Sequence, residues 1–149
     1  MPVFNSKSLG PISYDPDSAL EFPRGLPGFD ALRRFVPVRG PESDPLIFLQ
    51  SIEDPEVCFI TAPVCAIDPQ YDLQLDPEDL AAIGLPARKP IVGAEALCLA
   101  VLSVREDGIS ANLLAPVLVN MRNGKAIQAV STRSGYSHRH DLALEAVAC

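Results

Sequence analysis

The side chains that could do chemistry in this sequence are two histidines and a scattered set of cysteines. His138 and His140 lie two residues apart, so on a strand they would share one face. A bound metal ion needs three or four ligands at fixed geometry, and Asp141 or Cys149 could supply a further ligand. The sequence therefore leaves one enzymatic alternative open, a small-molecule- or metal-binding β-barrel enzyme that uses Cys65, His138 and His140.

The remaining candidate groups have structural explanations. The spacing of the four cysteines matches neither a zinc ribbon nor a CxxC redox pair. Cys58 and Cys98 lie in apolar, strand-like runs, where a reduced cysteine behaves as a small hydrophobic residue. Cys149 ends the sequence, and its reactivity is expected to be incidental. Acidic residues at 53–56 and 76–79 suit a turn and a helix start. We therefore predict that the protein is not an enzyme and needs no cofactor.

Composition sets the class of protein. The 149 residues carry a net charge of −7, with 48% hydrophobic and 21% charged residues, which predicts one folded domain over residues 1–149. The acidic charge disfavours direct nucleic-acid binding, which depends on Lys and Arg. Apolar runs fall short of the ~20 residues of a membrane span, and residues 1–20 do not resemble a secretory signal. We expect a monomer in the cytoplasm.

Local patterns position these residues on short strands. Fifteen prolines make long helices unfavourable. One helix is predicted to open at Asp76-Pro77-Glu78-Asp79 and to end at Gly84. A helical turn is predicted over 31–34, and a short helix or frayed tail from Leu142 onward. Strands are predicted over 2–5, 11–14, 19–22, 35–38, 46–51, 57–61, 96–104, 109–112, 116–121 and 126–131. The fold class is therefore mainly β, a small antiparallel β-barrel-like or rolled sheet with one or two short helices.

Two segments mark the ends of this sheet. In ANLLAPVLVN (111–120), Pro116 cannot donate to a strand ladder, which indicates a strand start, a bulge or an exposed edge. The edge interpretation makes this strand a place for a partner to pair. Asp107-Gly108 and Asn123-Gly124 each predict a hairpin. In GLPGF (25–29), the glycines and proline predict a corner whose Leu26 and Phe29 plug the end of the core.

Together these motifs resemble the flagellar assembly factor FliW family. The resemblance runs from about Phe22 to Leu142 and rests on GLPGF, Leu49-Gln50-Ser51, ANLLAPVLVN, and Tyr136 with Arg139. It implies a small β-barrel-like fold and a partner switch. FliW-like proteins bind CsrA, an RNA-binding regulator, and antagonise its repression of flagellin mRNA. They also bind flagellin as a chaperone. When flagellin occupies a FliW-like protein, CsrA is released from it.

Partner-binding residues are predicted among the motif positions without an evident core role. Tyr and Arg are enriched at the energetically dominant positions of interfaces, and Asn, Gln and Ser can donate and accept hydrogen bonds. Pairing with the local backbone accounts for the amide and hydroxyl side chains equally well. The predicted contact set is Gln50, Ser51, Asn112, Pro116, Asn120, Tyr136 and Arg139.

Overall fold

The architecture is mainly β, and it is described by a computed structural model. The structure describes residues 3–7, 9–39, 44–130 and 135–142. The strands are β1 (Val3–Ser6), β2 (Gly10–Ser13), β3 (Leu20–Glu21), β4 (Arg34–Val38), β5 (Ile47–Ser51), β6 (Cys58–Pro63), β7 (Ala96–Arg105), β8 (Gly108–Asn120), β9 (Ala126–Gln128) and β10 (His140–Leu142). The helices are α1 (Val64–Ile67) and α2 (Pro77–Ala82), with a 3₁₀ turn at Pro16–Ser18. No helix in these ranges has the length and apolar character that a membrane span requires.

The strands form one hairpin and one large antiparallel sheet. β1 pairs with β2, while the large sheet has the order β10-β8-β7-β6-β5-β4-β3, with β9 also paired to β8. The Glu21 N–H on β3 donates to the Gly124 carbonyl just before β9, at 2.9 Å. This contact brings the two sides of the sheet together into a nearly closed barrel. The predicted fold class is confirmed.

The central strands are covered on both faces, which explains their weak alternation in sequence. On β7, Leu99 faces the barrel interior, whereas its neighbour Cys98 faces an outer apolar layer. The interior contains Leu20, Phe22, Leu26, Phe35, Ile47, Leu49, Val117, Val119 and Ala126. The outer layer contains Val64 of α1, Leu80 of α2, Ile83, Leu102, Leu113 and Leu118. The two layers therefore share β7 and β8 as a common wall.

Strand β8 contains an irregularity at Pro116. β7 and β8 pair regularly up to Leu99 opposite Val117, and the next pair is Val101 opposite Asn112, so residues 113–116 bulge. Pro116 is fully buried, and its carbonyl accepts a hydrogen bond from the Ala129 N–H at 3.0 Å. The prediction of an exposed edge at Pro116 is therefore wrong, since β8 has neighbours on both sides. The alternative prediction of a bulge is confirmed.

The local turn chemistry accounts for most other elements. Asp76 occupies the N-cap position of α2 and accepts the Asp79 N–H through its carbonyl at 3.0 Å. Gly84 follows the helix with φ +79°, a conformation that favours glycine. Both predicted hairpins form, with Arg105 paired to Gly108 and Val119 paired to Ala126.

Some predictions fail where local and long-range signals compete. The helical turn over 31–34 is wrong, because β4 begins at Arg34. Helix α1 lies directly after β6 and was not predicted, since its four residues carry no capping side chain. Leu142 belongs to β10, and the helix predicted to follow it lies outside the described residues, as does Cys149. β9 ends at Gln128, before the predicted end of the strand at 131.

Candidate partner-binding site

A cavity of about 230 Å³ opens where the barrel interior meets the surface. We call this cavity and its rim the barrel mouth. Its walls come from β5, β6, β7, β8, β9, the GLPGF corner and the turn before β10. The lining residues are Leu26, Pro27, Leu49, Phe59, Val101, Ser103, Arg105, Asn112, Val117, Gln128, His138 and Arg139.

The floor of the barrel mouth is apolar. Leu26, Leu49 and Val117 are buried members of the barrel interior, and Phe59 and Val101 pack against them. The Phe29 ring meets the Phe59 ring edge-on, with centroids 5.4 Å apart. Phe29 is 39% exposed, so the prediction that it plugs the core is wrong, whereas Leu26 does so. An apolar side chain entering the mouth would therefore find an apolar surface.

The rim of the barrel mouth is polar and carries unpaired positive charge. Arg105, His138 and Arg139 are exposed, and neither arginine forms an ion pair within the described residues. A smaller adjoining cavity of about 30 Å³ is lined by the same arginines together with Asp107 and Asp141. The mouth is thus a local concentration of cationic donors on a protein whose net charge is −7.

Two amide side chains at the rim also hold the bulge in β8. The Asn112 Oδ1 accepts hydrogen bonds from the backbone N–H groups of Leu114 and Ala115, at 3.1 and 3.0 Å. The Gln128 Nε2 donates to the Ala115 carbonyl at 3.0 Å. These bonds satisfy backbone groups that the bulge removes from the β7–β8 ladder. Asn112 is half-buried, so it both shapes the mouth and lines it.

Gln50 and Ser51, predicted partner contacts on β5, are buried and bonded within the protein. The Gln50 Oε1 accepts from the Ser6 Oγ at 2.5 Å, and its Nε2 donates to the Ser51 and Val57 carbonyls at 2.8 and 3.1 Å. The Ser51 Oγ accepts from the backbone of the following acidic turn, at Glu53 and Asp54. Neither side chain reaches the surface in this conformation.

Asn120, another predicted contact, lies at the opposite end of β8 from Gly108 and is also buried. Its Nδ2 donates to the Ile83 carbonyl at 2.8 Å, and its Oδ1 accepts from the Arg122 N–H at 2.9 Å. Asn123 donates to the same Ile83 carbonyl at 3.1 Å. These bonds attach the β8–β9 hairpin to the end of α2. The amide thus closes a helix end and a turn together.

Tyr136 anchors the segment that carries the other rim residues. Its ring stacks on Tyr71, with centroids 4.3 Å apart and planes at 26°, and its oxygen accepts from the Asp72 N–H at 2.8 Å. The Tyr71 hydroxyl donates to the Leu113 carbonyl at 2.5 Å, and burial raises the pKa of Tyr71. Tyr136 lies three residues before Arg139, so these contacts hold the segment that carries Arg139 against the β8 bulge.

Comparison with known proteins decides the family. A model of the FliW protein family matches residues 3–142. The chain belongs to the FliW family. It is 36% identical over 145 residues to the flagellar assembly factor FliW of Azoarcus sp. (strain BH72), covering 90% of each chain. It is 30% identical over 139 residues to that of Syntrophomonas wolfei, covering 92% of this chain and 86% of the relative. A crystal structure of the flagellar assembly factor FliW superposes with a TM-score of 0.82 at 28% identity, covering 97% of this chain and 99% of the other.

Among the residues that the structure describes, Cys65, His138 and His140 of the enzymatic alternative do not come together as a group of metal ligands. Cys65 lies exposed on α1, His138 lies in a turn, and His140 begins β10. Within the described residues, no group of three or more His, Cys, Asp or Glu side chains could hold a metal ion. Burial raises the pKa of the Cys98 thiol to about 12, so that thiol stays protonated at neutral pH. Cys58 is half-buried, and burial raises its pKa as well.

Sequence reasoning missed several residues of the barrel mouth. Phe59, Val101 and Gln128 belong to predicted strands, but strand patterns do not say which ends meet across a barrel. Arg105 ends β7 one residue before the hairpin turn. The available signal for Arg105 was a long cationic side chain at the end of an apolar strand, where its charged head can reach solvent.

Proposed function

We propose that this chain is a cytoplasmic flagellar assembly factor that works as a partner switch. It binds the RNA-binding regulator CsrA and antagonises repression of flagellin mRNA, and it binds flagellin as a chaperone. The observation that carries the proposal is the meeting of family motifs at one place. GLPGF contributes Leu26 and Pro27, the Leu49-Gln50-Ser51 segment contributes Leu49, and ANLLAPVLVN contributes Asn112 and Val117 to the barrel mouth.

The chemistry of the barrel mouth favours protein binding. Its volume of about 230 Å³ is below the roughly 300–1,000 Å³ of most small-molecule pockets. An apolar centre with a polar rim is the usual anatomy of a protein interface. The output of such a switch is a coupling between binding events, typically about 1–3 kcal/mol, which requires no reactive group.

The predicted contact residues divide into two roles under this proposal. Asn112 and Arg139 line the mouth and contact the partner directly. Tyr136 acts through its stacking on Tyr71, by holding the segment that carries Arg139. The buried members act by holding strand ends in place, and they are Gln50, Ser51, Pro116 and Asn120.

The decisive experiment is co-purification of the chain with flagellin and with CsrA, separately and together. Two complexes that exclude each other, and a monomer when the chain is alone, support the proposed switch. A stable complex containing all three proteins contradicts the switch, and failure to bind either protein contradicts the function as a whole. A translation reporter under the flagellin mRNA leader then reports antagonism of CsrA.

Metal analysis of the purified chain tests the enzymatic alternative. A stoichiometric metal that is lost in Cys65→Ser or His138→Gln would favour a metal site. A metal-free protein that binds its partners with full affinity would leave the switch as the working function.

A further inference from the structure

We infer that the barrel mouth receives a peptide segment in which one large apolar side chain stands next to an Asp or Glu. This inference deepens the proposed partner-binding function and rests on it. The floor of the cavity specifies the apolar side chain of the bound segment, and the rim specifies its acidic neighbour.

The floor selects the apolar side chain. Leu26, Leu49 and Val117 are each less than 6% exposed, and the half-buried Phe59 adds an aromatic face. A cavity of about 230 Å³ has room for one or two side chains but not for a packed helix. Anchoring by one desolvated side chain surrounded by polar contacts is the common arrangement of interface hot spots.

The rim selects the acidic neighbour. Arg105 and Arg139 have no ion-pair partner within the described residues, and both reach the cavity. Carboxylates pair with four other described cations, Lys7, Arg24, Arg88 and Lys89, and the Arg88–Glu95 pair is bidentate at 2.7 and 2.8 Å. A carboxylate between two guanidinium groups would form charge-assisted hydrogen bonds. The Ser103 hydroxyl, the Asn112 Nδ2 and the Gln128 Oε1 are not used in holding the bulge and remain for the peptide backbone.

The occupant's carboxylate belongs to a side chain in a continuous segment. Capture of a terminal carboxylate generally uses a nest of backbone N–H groups, whereas this rim offers long, exposed side chains. Asp107 and Asp141 lie beside the same arginines in the adjoining cavity. These two carboxylates, together with the protein's net charge of −7, oppose the binding of a polyanion such as RNA. A single acidic residue beside an apolar anchor carries one charge and meets less of that repulsion than a polyanion does.

The direct test uses a short synthetic peptide with blocked ends, Gly-Ser-Gly-Phe-Glu-Gly-Ser-Gly, titrated into the labelled full chain by NMR. Saturable shifts are expected at the amides of Asn112, Gln128 and Arg139. Replacing Phe by Ala, or Glu by Gln, in the peptide should weaken binding, and so should raised salt. Absence of saturable shifts, or equal binding of the Glu and Gln peptides, overturns the inference. Tighter binding of a peptide that ends in a free Phe carboxylate also overturns it.

Variants of the protein connect the peptide to the mouth. R105Q together with R139Q should weaken peptide binding about tenfold at low salt, since exposed charge pairs each contribute modestly. R122Q is the matched control, because Arg122 is an exposed arginine beyond the other end of β8. Urea midpoints of all variants should match wild type. An equal effect of R122Q and of the double variant would overturn the inference.

The same variants separate this inference from the proposed function. If flagellin or CsrA binds wild type and the double variant equally well, the inference fails and the proposed function stands. If neither protein binds wild type, the proposed function fails, and the peptide titration still decides the chemistry of the barrel mouth.

Discussion

Replacing Gln50 by Leu tests whether this motif residue acts through stability or through contact. The side chain is fully buried, and leucine is similar in size but cannot form hydrogen bonds. Three hydrogen bonds of 3.1 Å or shorter would be lost, to the Ser6 Oγ at 2.5 Å and to the Ser51 and Val57 carbonyls at 2.8 and 3.1 Å. At about 1 kcal/mol each, their loss should lower the free energy of unfolding by about 3 kcal/mol.

The effect should be measurable in two ways. For a chain of this size each kcal/mol lowers Tm by about 2–4 °C, so we expect a fall of about 6–12 °C. Urea unfolding should show a lower midpoint with an unchanged slope. Gln70→Leu is the matched control because Gln70 is exposed, and its free energy of unfolding should stay within about 0.5 kcal/mol of wild type.

Partner binding gives the refuting result. Measured well below its Tm, Gln50→Leu should bind flagellin and CsrA as wild type does, because the buried amide reaches no partner. Weakened binding with an unchanged urea midpoint would refute the structural role of Gln50. It would restore the sequence-based prediction of a direct contact.

Three further predictions concern other parts of the chain. Tyr136→Phe should lose the hydrogen bond from the Asp72 N–H and lower the free energy of unfolding by about 1 kcal/mol, and an unchanged urea midpoint would contradict that bond. The hydrogen bond with Arg88 lowers the Glu95 pKa from 4.5 to about 2. The contribution of Glu95 to the free energy of unfolding is therefore fully present above pH 4.5 and is lost as the pH falls toward 2. The acid dependence of the urea midpoint over that window should therefore be shallower in Glu95→Gln than in wild type, and identical profiles would contradict the shift. Thiol labelling of the native protein at pH 8 should modify exposed Cys65 and spare Cys98, whose pKa burial raises to about 12; equal labelling of both would show that the outer layer opens readily.

The strands and hairpins were predictable because their signals are local. Asp107-Gly108 and Asn123-Gly124 specify tight turns within a few residues, and both hairpins form where predicted. The Asp76-Pro77 helix start is equally local, since it depends on adjacent residues that suit the first turn. Pro116 signalled an irregularity through its missing N–H, but its position inside the sheet depended on the strands around it.

The barrel mouth was not predictable from local patterns, because its parts come from distant segments of the sequence. The stacking of Tyr71 on Tyr136 joins residues 65 positions apart, and the contact of Glu21 with Gly124 closes the barrel over a longer separation still. Short strands such as β10 exist because a neighbour supplies their hydrogen bonds, and their own residues carry little strand signal. Which strand ends surround a cavity follows from register and closure, which no single segment encodes.

The sequence by itself determined the class of fold, the turns and the weak alternation in the central strands, because these follow from backbone preferences and residue polarity over short distances. The tertiary structure decided which polar residues are free to act. Gln50 and Asn120 are enclosed because other layers cover them, whereas Arg105 and Arg139 remain exposed at the barrel mouth. Burial is a property of what packs on top of a residue, so residue type alone could not separate the two groups.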